Sequence, residues 1–248
     1  LENYDEVKPA DLAEMIRDLK PQRRIQVATA LPDEKLADVL EELPEENQVE
    51  VLASLPGGRA ADVLEAMQPD DAADLLLVLT PEAQERYLRL MEPDEAADIR
   101  RLLIYDEDTA GGLMTTEPVI MPPEATVAEA LAMIRREEVS TALAAVVFVS
   151  RAPVETPTGK FLGVVHFQRL LREPPTVAIG TIMDRGIEPV GPDASLGDIT
   201  REMATYNNIA LAVVDEDGHM LGAVTVDDVL DNLLPDDWRD DRHEVSNG

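Results

Sequence analysis

Residues 60–81 read AADVLEAMQPDDAADLLLVLTP. Two copies of one pattern lie in this stretch, because the apolar triplet that starts at Val63 returns twelve residues later, starting at Leu75. Each triplet has the spacing i, i+1, i+4, which places its side chains on one face of a helix. A proline follows each triplet, and acids follow the first of these prolines. The stretch therefore predicts short helices of about eight or nine residues that begin at proline.

The same pattern fills the first hundred residues. Its prolines are spaced by 11 to 13 residues and lie at Pro21, Pro32, Pro44, Pro56, Pro69, Pro81 and Pro93. The triplets include Met15 in the first unit, and the eighth unit keeps Ile99 and Leu103. Helices this short are marginal alone and must stack on one another. We therefore predict eight helices between about residues 9 and 104, successive ones packed as hairpins, that form a right-handed α-superhelix.

Composition excludes several classes of protein. The chain has 248 residues, of which 51 are acidic and 21 basic, giving a net charge of −30, and it has no cysteine. Disulfides, thiolate nucleophiles and sulfur-ligated metals are therefore excluded. The longest apolar run, 142–149, is too short to cross a membrane. The charge disfavours nucleic acids and anionic lipids as partners and attracts cations. We find no catalytic constellation and expect no enzyme activity; the missing initial Met suggests an excerpt of a longer chain with a domain upstream.

One polar position of the repeat is acidic in most units. Its occupants are Glu14, Gln26, Asp38, Glu50, Asp62, Asp74, Arg86 and Asp98. Stacked helices would align several of these carboxylates along one side, and we call the eight positions the acidic row. Two interpretations stay open: a solvated helix face, or a surface that binds divalent cations.

From residue 113 the chain contains two copies of another pattern. Leu113-Met114 matches Ile182-Met183 at an offset of 69, and 163–165 matches 222–224 at an offset of 59. The first copy therefore has ten extra residues, mainly in the loop 151–158. Each copy predicts a short strand (119–120 in the first copy, Val190 in the second), a helix, two strands joined by a hairpin (145–149 and 161–165; 210–214 and 220–224) and a final helix. Together these elements form a small α/β domain.

These copies resemble tandem CBS domains, and the segment YDEDTAGGLMT at 105–115 resembles the junction of MgtE-type magnesium transporters. The resemblance covers nearly the whole chain. It implies an MgtE N-like domain (1–112), CBS domain 1 (113–175), CBS domain 2 (176–234) and an acidic tail (235–248). The transmembrane domain is missing, and Pro235 would interrupt the helix that leads to it. We therefore expect a soluble, cytoplasmic MgtE-like protein that forms a homodimer through its CBS domains.

The resemblance also implies a set of Mg²⁺ ligands. In this sequence they are Asp38, Asp70, Asp74, the Gly112 carbonyl, Asn207, Asp228 and Asp231. Asn207 stands where the family has an acid and offers a weaker oxygen ligand. Asp228 has a second interpretation, because Thr225-x-x-Asp228 at a helix start is a capping box. Gly111-Gly112 is expected to serve the turn that leaves the superhelix.

Thr225 and Asp228 also resemble the nucleotide motif of CBS domains, where the hydroxyl meets phosphate and the carboxylate meets ribose. The first copy departs from this motif, with His166 and Arg169 at the matching positions. Asn208 offers no aromatic surface for a base. An adenine nucleotide is therefore a secondary expectation.

The charge suggests a mechanism. Residues 1–112 hold 28 acids and 11 bases, and residues 113–248 hold 23 and 10, so the two parts repel each other. A bridging divalent cation would remove this repulsion. Our first hypothesis is a Mg²⁺-sensing regulatory module that acts on a membrane transporter or on an upstream domain. The alternatives are a protein-interaction scaffold and an adenine-nucleotide sensor.

Overall fold

The computed structural model describes residues 7–136 and 139–234. The described residues form two compact units, one up to Leu103 and one from Ile104 to Leu234. Within the described part of the chain, the first unit consists of eight helices. They are α1 (Pro9–Arg17), α2 (Pro21–Ala28), α3 (Asp33–Glu41), α4 (Glu45–Ser54), α5 (Gly57–Ala66), α6 (Pro69–Leu77), α7 (Pro81–Leu88) and α8 (Pro93–Leu102).

Proline marks the start of every one of these eight helices. It is the first helical residue of α1, α2, α6, α7 and α8, as predicted. In α3, α4 and α5 it is the residue immediately before the helix, so the prediction is one residue off there. Both positions suit proline, because the first backbone N–H groups of a helix have no acceptor within the helix.

The predicted apolar stripe forms the core of the first unit. Leu40, Leu52, Leu64 and Leu76, which occupy one position of the repeat, are fully buried. The prediction for Met15 is wrong, since this side chain is 59% exposed. In α1 the buried face is shifted to residues 12, 13 and 16 because, among the described residues, α1 contacts only helices that follow it.

Alternate helices make the closest contacts in this unit. Contacts between alternate helices, such as α3 with α5 and α6 with α8, outnumber those between successive helices, although α6 contacts α5 as much as α4. The expected packing of successive helices as hairpins is therefore only a minor part of the arrangement.

Polar side chains bind the helix ends in the first half of the array. Arg24 of α2 donates to two carbonyl oxygens at the end of α1 (3.0 and 3.2 Å). Gln48 of α4 donates in the same way to two carbonyl oxygens at the end of α3 (both 2.9 Å). The last carbonyl groups of a helix have no hydrogen-bond donor within the helix, and these two side chains supply the missing donors.

A second set of links reaches further along the chain. Arg59 of α5 donates to two carbonyl oxygens that follow α2 (2.6 and 2.7 Å) and to Asp33 (2.7 Å). Lys35 of α3 donates to the carbonyl of a residue before α1 (2.9 Å). Arg24 and Gln48 are 24 residues apart, as are Lys35 and Arg59. The polar links therefore repeat every two helices, whereas the apolar triplets repeat every helix.

The second unit contains the two predicted copies. The first has β1 (Ile120–Met121), α9 (Val127–Met133), β2 (Val146–Ser150), β3 (Phe161–His166) and α10 (Phe167–Leu170). The second has α11 (Leu196–Tyr206), β4 (Ala210–Val214), β5 (Met220–Thr225) and α12 (Val226–Leu233). Val190, predicted as a short strand, makes a single parallel bridge to Val213. The other predicted strands match those of the structure to within one residue at each end.

Each copy contributes a small sheet. Strand β2 pairs with β1 in parallel and with β3 antiparallel, and β4 pairs antiparallel with β5. Val147 and Val149 face a core shared with α9. Val146 and Phe148 face a second core, to which Ala212 of the second copy contributes. Because both faces of β2 are buried, its sequence is a continuous apolar run rather than an alternating one.

Two glycines mark close approaches of the backbone. A Cβ atom at Gly163 would lie 2.2 Å from the carbonyl oxygen of Asp184, and one at Gly222 would lie 2.4 Å from that of Thr115. These positions correspond under the offsets of 59 and 69. Asp184, which leads into the second copy, thus crosses β3 of the first copy at Gly163. Thr115, which leads into the first copy, crosses β5 of the second copy at Gly222.

The helices of the described residues are all too short or too polar to span a bilayer.

Candidate metal and nucleotide sites

Asp38 lies on the exposed side of α3. Partial burial raises the pKa of its carboxyl; Lys35 opposes this shift, and Glu34 adds to it. Its counterparts in the acidic row, Asp62 and Asp74, are also exposed. Two other members of the row lie in ion pairs: Glu50 with Arg24 (2.6 Å) and Asp98 with Arg101. The row is therefore divided between solvent-facing carboxylates and carboxylates that bind arginine.

Asp70 and Asp74 both belong to α6. Asp70 is in the first turn and is only 7% exposed, whereas Asp74 is exposed one turn later. A carboxylate in the first turn is favoured by the partial positive charge of the helix N-terminus. The i, i+4 spacing places the two carboxylates on one side of the helix, as the sequence predicts.

Glu41 is an acid with an unusual environment that the sequence motifs do not predict. This residue ends α3 and accepts a hydrogen bond from the backbone N–H of Gln68 (2.7 Å). Burial raises the pKa of its carboxyl to about 7; the Gln68 bond opposes the shift, and Asp38 and Glu42 add to it. Glu65, 24 residues later, accepts from the N–H of Glu92 in the same way. This spacing of two repeat units is the sequence signal that could have identified Glu41.

Gly112 lies in the tight turn that follows α8. Its N–H donates to Thr109 Oγ1 (3.3 Å), and a Cβ atom here would lie 2.4 Å from the carbonyl oxygen of Asp106. At Gly111 a Cβ atom would meet the ring of Tyr105 at 2.4 Å. Both glycines thus permit close packing in the turn, as expected from the sequence.

Asn207 has a structural role that the sequence analysis missed. It caps the end of α11 in the left-handed conformation, with φ 55° and ψ 37°, and its N–H donates to Met203. Asparagine tolerates this conformation better than most residues, which accounts for its presence here. Its exposed side chain keeps an amide oxygen at the surface.

Thr225 and Asp228 form the predicted capping box at the start of α12. The Asp228 carboxylate accepts hydrogen bonds from the Thr225 N–H (3.1 Å) and hydroxyl (2.6 Å). Burial raises the pKa of Asp228 to about 6; the Thr225 bonds oppose the shift, and Asp227 and Asp231 add to it. Asp231 is exposed one turn further along α12. The structure therefore places Asp228 and Asp231 on one helix, with the carboxylate of Asp228 already bonded locally.

The corresponding end of β3 in the first copy has different chemistry. His166 precedes α10 without a side-chain capping bond, and Arg169 pairs with Glu173 (2.8 Å). The threonine hydroxyl and aspartate carboxylate of the nucleotide motif thus occur in the second copy alone, as the sequence indicates.

Three or more potential metal-ligating side chains do not converge at any point within residues 7–136 and 139–234. The candidate carboxylate ligands lie at three separate places instead. These are Asp38 on α3, the pair Asp70 and Asp74 on α6, and the pair Asp228 and Asp231 on α12. Mg²⁺ commonly takes one or two carboxylates and retains several waters, so groups of this size are chemically suitable.

Comparison with known proteins identifies both parts of the chain. The family model of the MgtE intracellular N domain matches residues 7–108, and that of the CBS domain matches residues 110–175 and 179–235. The magnesium transporter MgtE of Thermus thermophilus is 35% identical over 147 residues, which are 59% of this chain and 31% of the transporter. MgtE of Enterococcus faecalis is 30% identical over 133 residues, 54% of this chain and 28% of the transporter. The matched regions thus span about a third of these relatives or less.

A solved structure resembles nearly the whole chain. It is the cytosolic domain of the Mg²⁺ channel MgtE in complex with ATP, with 36% sequence identity and a TM-score of 0.81; the match covers 92% of this chain and 91% of that one. The soluble part of a magnesium transporter has the same TM-score at 28% identity, over 92% of this chain and 88% of that one. The predicted fold class, short helices followed by a CBS pair, is confirmed. The chain therefore belongs to the family of MgtE cytosolic domains, in which an MgtE N domain precedes two CBS domains.

Proposed function

We propose that this chain is a Mg²⁺-sensing regulatory module, in which Mg²⁺ ions bridge the acidic N domain and the CBS pair. The observation that carries the proposal is the match to the cytosolic domain of a Mg²⁺ channel over more than nine tenths of both chains. The net charge of −30 supports it, because apposed carboxylates repel unless a cation lies between them.

The proposed ligands are those of the sequence analysis. Asp38, Asp70 and Asp74 supply carboxylates from the N domain, and Asp228 and Asp231 supply them from α12. The Gly112 carbonyl and the Asn207 amide add neutral oxygens. The raised pKa of Asp228 supports this choice, because burial and the neighbouring acids Asp227 and Asp231 disfavour its charge. At Asp38 partial burial also raises the pKa, although Lys35 opposes the shift. A divalent cation would offset that cost.

We also propose the remaining features of the module. It acts in the cytoplasm without catalytic activity, forms a homodimer through its CBS domains, and acts on a membrane transporter or on an upstream domain of the same chain. The proposed domain boundaries are 1–112, 113–175, 176–234 and 235–248. The last of these segments lies outside the described residues.

Small-angle scattering and calorimetry with Mg²⁺ test the proposal. Millimolar Mg²⁺ should release or absorb heat and reduce the radius of gyration of the wild-type chain, relative to NaCl at equal ionic strength. The triple variant Asp70→Ala/Asp74→Ala/Asp228→Ala should lose both effects. The control, Glu82→Ala/Glu124→Ala/Glu188→Ala, removes the same charge from exposed positions outside the set and should keep them. An unchanged radius of gyration in the wild type would refute Mg²⁺-driven closure.

Binding of an adenine nucleotide is a second candidate function. It is supported by the complex of the related MgtE cytosolic domain with ATP and by Thr225 and Asp228 in the second copy. Two observations count against it. Thr225 and Asp228 bond to each other, and the first copy has His166 and Arg169 at the matching positions, where Arg169 pairs with Glu173. ATP at millimolar concentration should raise the melting temperature more than GTP does. Equal shifts with the two nucleotides would remove this candidate.

A further inference from the structure

A small cleft with a basic rim lies in the CBS pair, at the end of the sheets where the hairpins turn. Its volume is about 260 Å³. It is lined by Lys160, Phe161, Leu162, Arg185, Ile187, Pro189, Val214 and Gly218. Lys160 and Arg185 are exposed at the cleft, and its other side chains are apolar. We call it the hairpin-end cleft. Two cations around an apolar floor make this cleft locally basic on a chain with a net charge of −30.

The internal repeat of the CBS pair generates a counterpart of this cleft. Under the offset of 59, Phe161 corresponds to Met220, and under the offset of 69, Arg185 corresponds to Thr116. Met220 is fully buried and Thr116 is 4% exposed, whereas Phe161 is half-buried and Arg185 is exposed. The residue that corresponds to Ile187, Pro118, is buried too. The counterpart is therefore covered, and the hairpin-end cleft is open.

The ten extra residues of the first copy cover the counterpart. Thr158 is buried; its N–H donates to the Met220 carbonyl (2.9 Å), and its hydroxyl accepts from the Met220 N–H (3.1 Å). The hydroxyl of Thr156 donates to the carbonyl of Thr116 (2.8 Å). Val154 packs against the core that the two copies share. A short peptide containing proline, threonine and one acid thus fills this place within the chain itself.

We propose that the hairpin-end cleft binds a short acidic, proline-containing peptide segment of a partner protein. The covered counterpart supports a peptide as the occupant, since it holds the segment 152–158 against equivalent positions. The charges support an acidic one. Lys160 takes the place of His219, whose ring pairs with Asp215 (3.0 Å), and Arg185 takes the place of Thr116. An acidic side chain of the peptide pairs with these two cations, and an apolar one packs on Phe161 and Ile187.

A labelled peptide with the sequence of residues 152–158, APVETPT, tests the proposal on the full chain by fluorescence anisotropy. The wild type should bind it, and Lys160→Glu/Arg185→Glu should bind it about tenfold more weakly, because two favourable charge contacts become repulsive. The control Arg135→Glu/Arg172→Glu changes the net charge equally at exposed positions outside the cleft and should bind like the wild type.

A charge swap protects the test against a misfolded variant. The peptide with lysine in place of its glutamate, APVKTPT, should bind Lys160→Glu/Arg185→Glu more tightly than it binds the wild type. Absence of binding to the wild type at millimolar peptide would overturn the proposal. So would an equal loss in the control variant, or displacement of the peptide by ATP at low millimolar concentration, which would indicate a nucleotide site instead.

Discussion

The two parts of the chain begin their helices in different ways. In the described part of the N domain, proline is the first residue of each helix or the residue immediately before it, and Thr80, before α7, is the one residue that makes a side-chain capping bond. In the CBS pair, α9, α11 and α12 start at Thr126, Ser195 and Thr225, and each of these residues bonds to the acid three residues later. In the N domain, the N–H groups of Gln68 and Glu92, immediately before α6 and α8, donate instead to Glu41 and Glu65 of other helices. The comparison shows one requirement, paired backbone groups at helix ends, met by long-range contacts in one part and by local ones in the other.

The cores differ as well. Each helix of the N domain buries one stripe against its neighbours in the array. The CBS pair buries both faces of β2, and one of these faces lies in a core that the two copies share. Damage to a core position should therefore remain near its site in the N domain and reach both copies in the CBS pair.

Phe148→Ala should have the largest effect. Phe148 is fully buried in the shared core, so truncation should cost about 3 to 5 kcal/mol of stability. Hydrogen exchange should accelerate in β4 and β5 as well as in β2 and β3. Phe167→Ala, at a position that is 38% exposed, is the control and should change exchange little. Exchange that accelerates in the first copy alone would contradict the shared core.

Arg59→Ala tests the long-range links of the N domain. The variant loses three hydrogen bonds of a half-buried guanidinium and should cost about 2 to 3 kcal/mol in urea unfolding. Faster exchange should be confined to helices near α2, α3 and α5. Arg89→Ala removes a guanidinium whose side chain is 74% exposed and should cost less than about 0.5 kcal/mol. Equal costs for the two variants would show that the links contribute no more than a surface ion pair.

Glu41→Gln tests a link that depends on pH. In the folded chain the pKa of Glu41 is about 7, against its ordinary value of 4.5, so the folded state holds this proton more tightly than the unfolded state does. Stability from this group is complete below about pH 4.5 and is lost as pH rises through about 7, and about 2 kcal/mol of this loss falls between pH 5 and pH 7.5. Glu41→Gln keeps an acceptor for Gln68 and should remove this part of the pH dependence.

Urea unfolding of the wild type and Glu41→Gln at pH 5 and pH 7.5 measures the difference. The control Glu45→Gln removes a charge from an exposed position and should keep the wild-type pH dependence. A pH dependence that is the same in Glu41→Gln and the wild type would assign it to other groups.

Ser195→Ala should have the smallest effect and tests the local caps of the CBS pair. The Ser195 hydroxyl oxygen accepts from the Asp198 N–H (3.3 Å), and its loss should cost about 1 kcal/mol. Lys20 precedes α2 without a side-chain cap, so Lys20→Ala should change stability by less than about 0.5 kcal/mol. A similar cost for the two substitutions would remove the distinction between capped and uncapped helix starts.

Much of the fold could be predicted from local sequence. The prolines and apolar triplets located eight helices to within a few residues, because a short helix leaves its period and its start signal in adjacent positions. The offsets of 69 and 59 located the two CBS copies, and the spacing Thr225-x-x-Asp228 located the capping box. The prediction failed at Met15, whose triplet position looks like the others but lies on the first helix of the array.

Less of the candidate sites could be predicted. The sequence placed Asp70 and Asp74 on one helix side, because their relation is local. It missed the burial of Glu41, since the Gln68 N–H that it binds is 27 residues away. It also missed the left-handed cap at Asn207, which depends on how α11 ends.

The sequence by itself determined the elements, the two kinds of repeat, the acidity and the family resemblance, since each depends on residue type and spacing along the chain. Only the tertiary structure decided that alternate helices pack most closely, that Arg59 and Glu41 bind distant helix ends, and that the segment 152–158 covers one cleft while Lys160 and Arg185 border an open one. These features depend on pairs of residues brought together across 20 residues or more. Spacing along the chain can mark a repeated position such as Glu41 and Glu65, but it does not identify the partner, because these pairs form only when helices and strands pack.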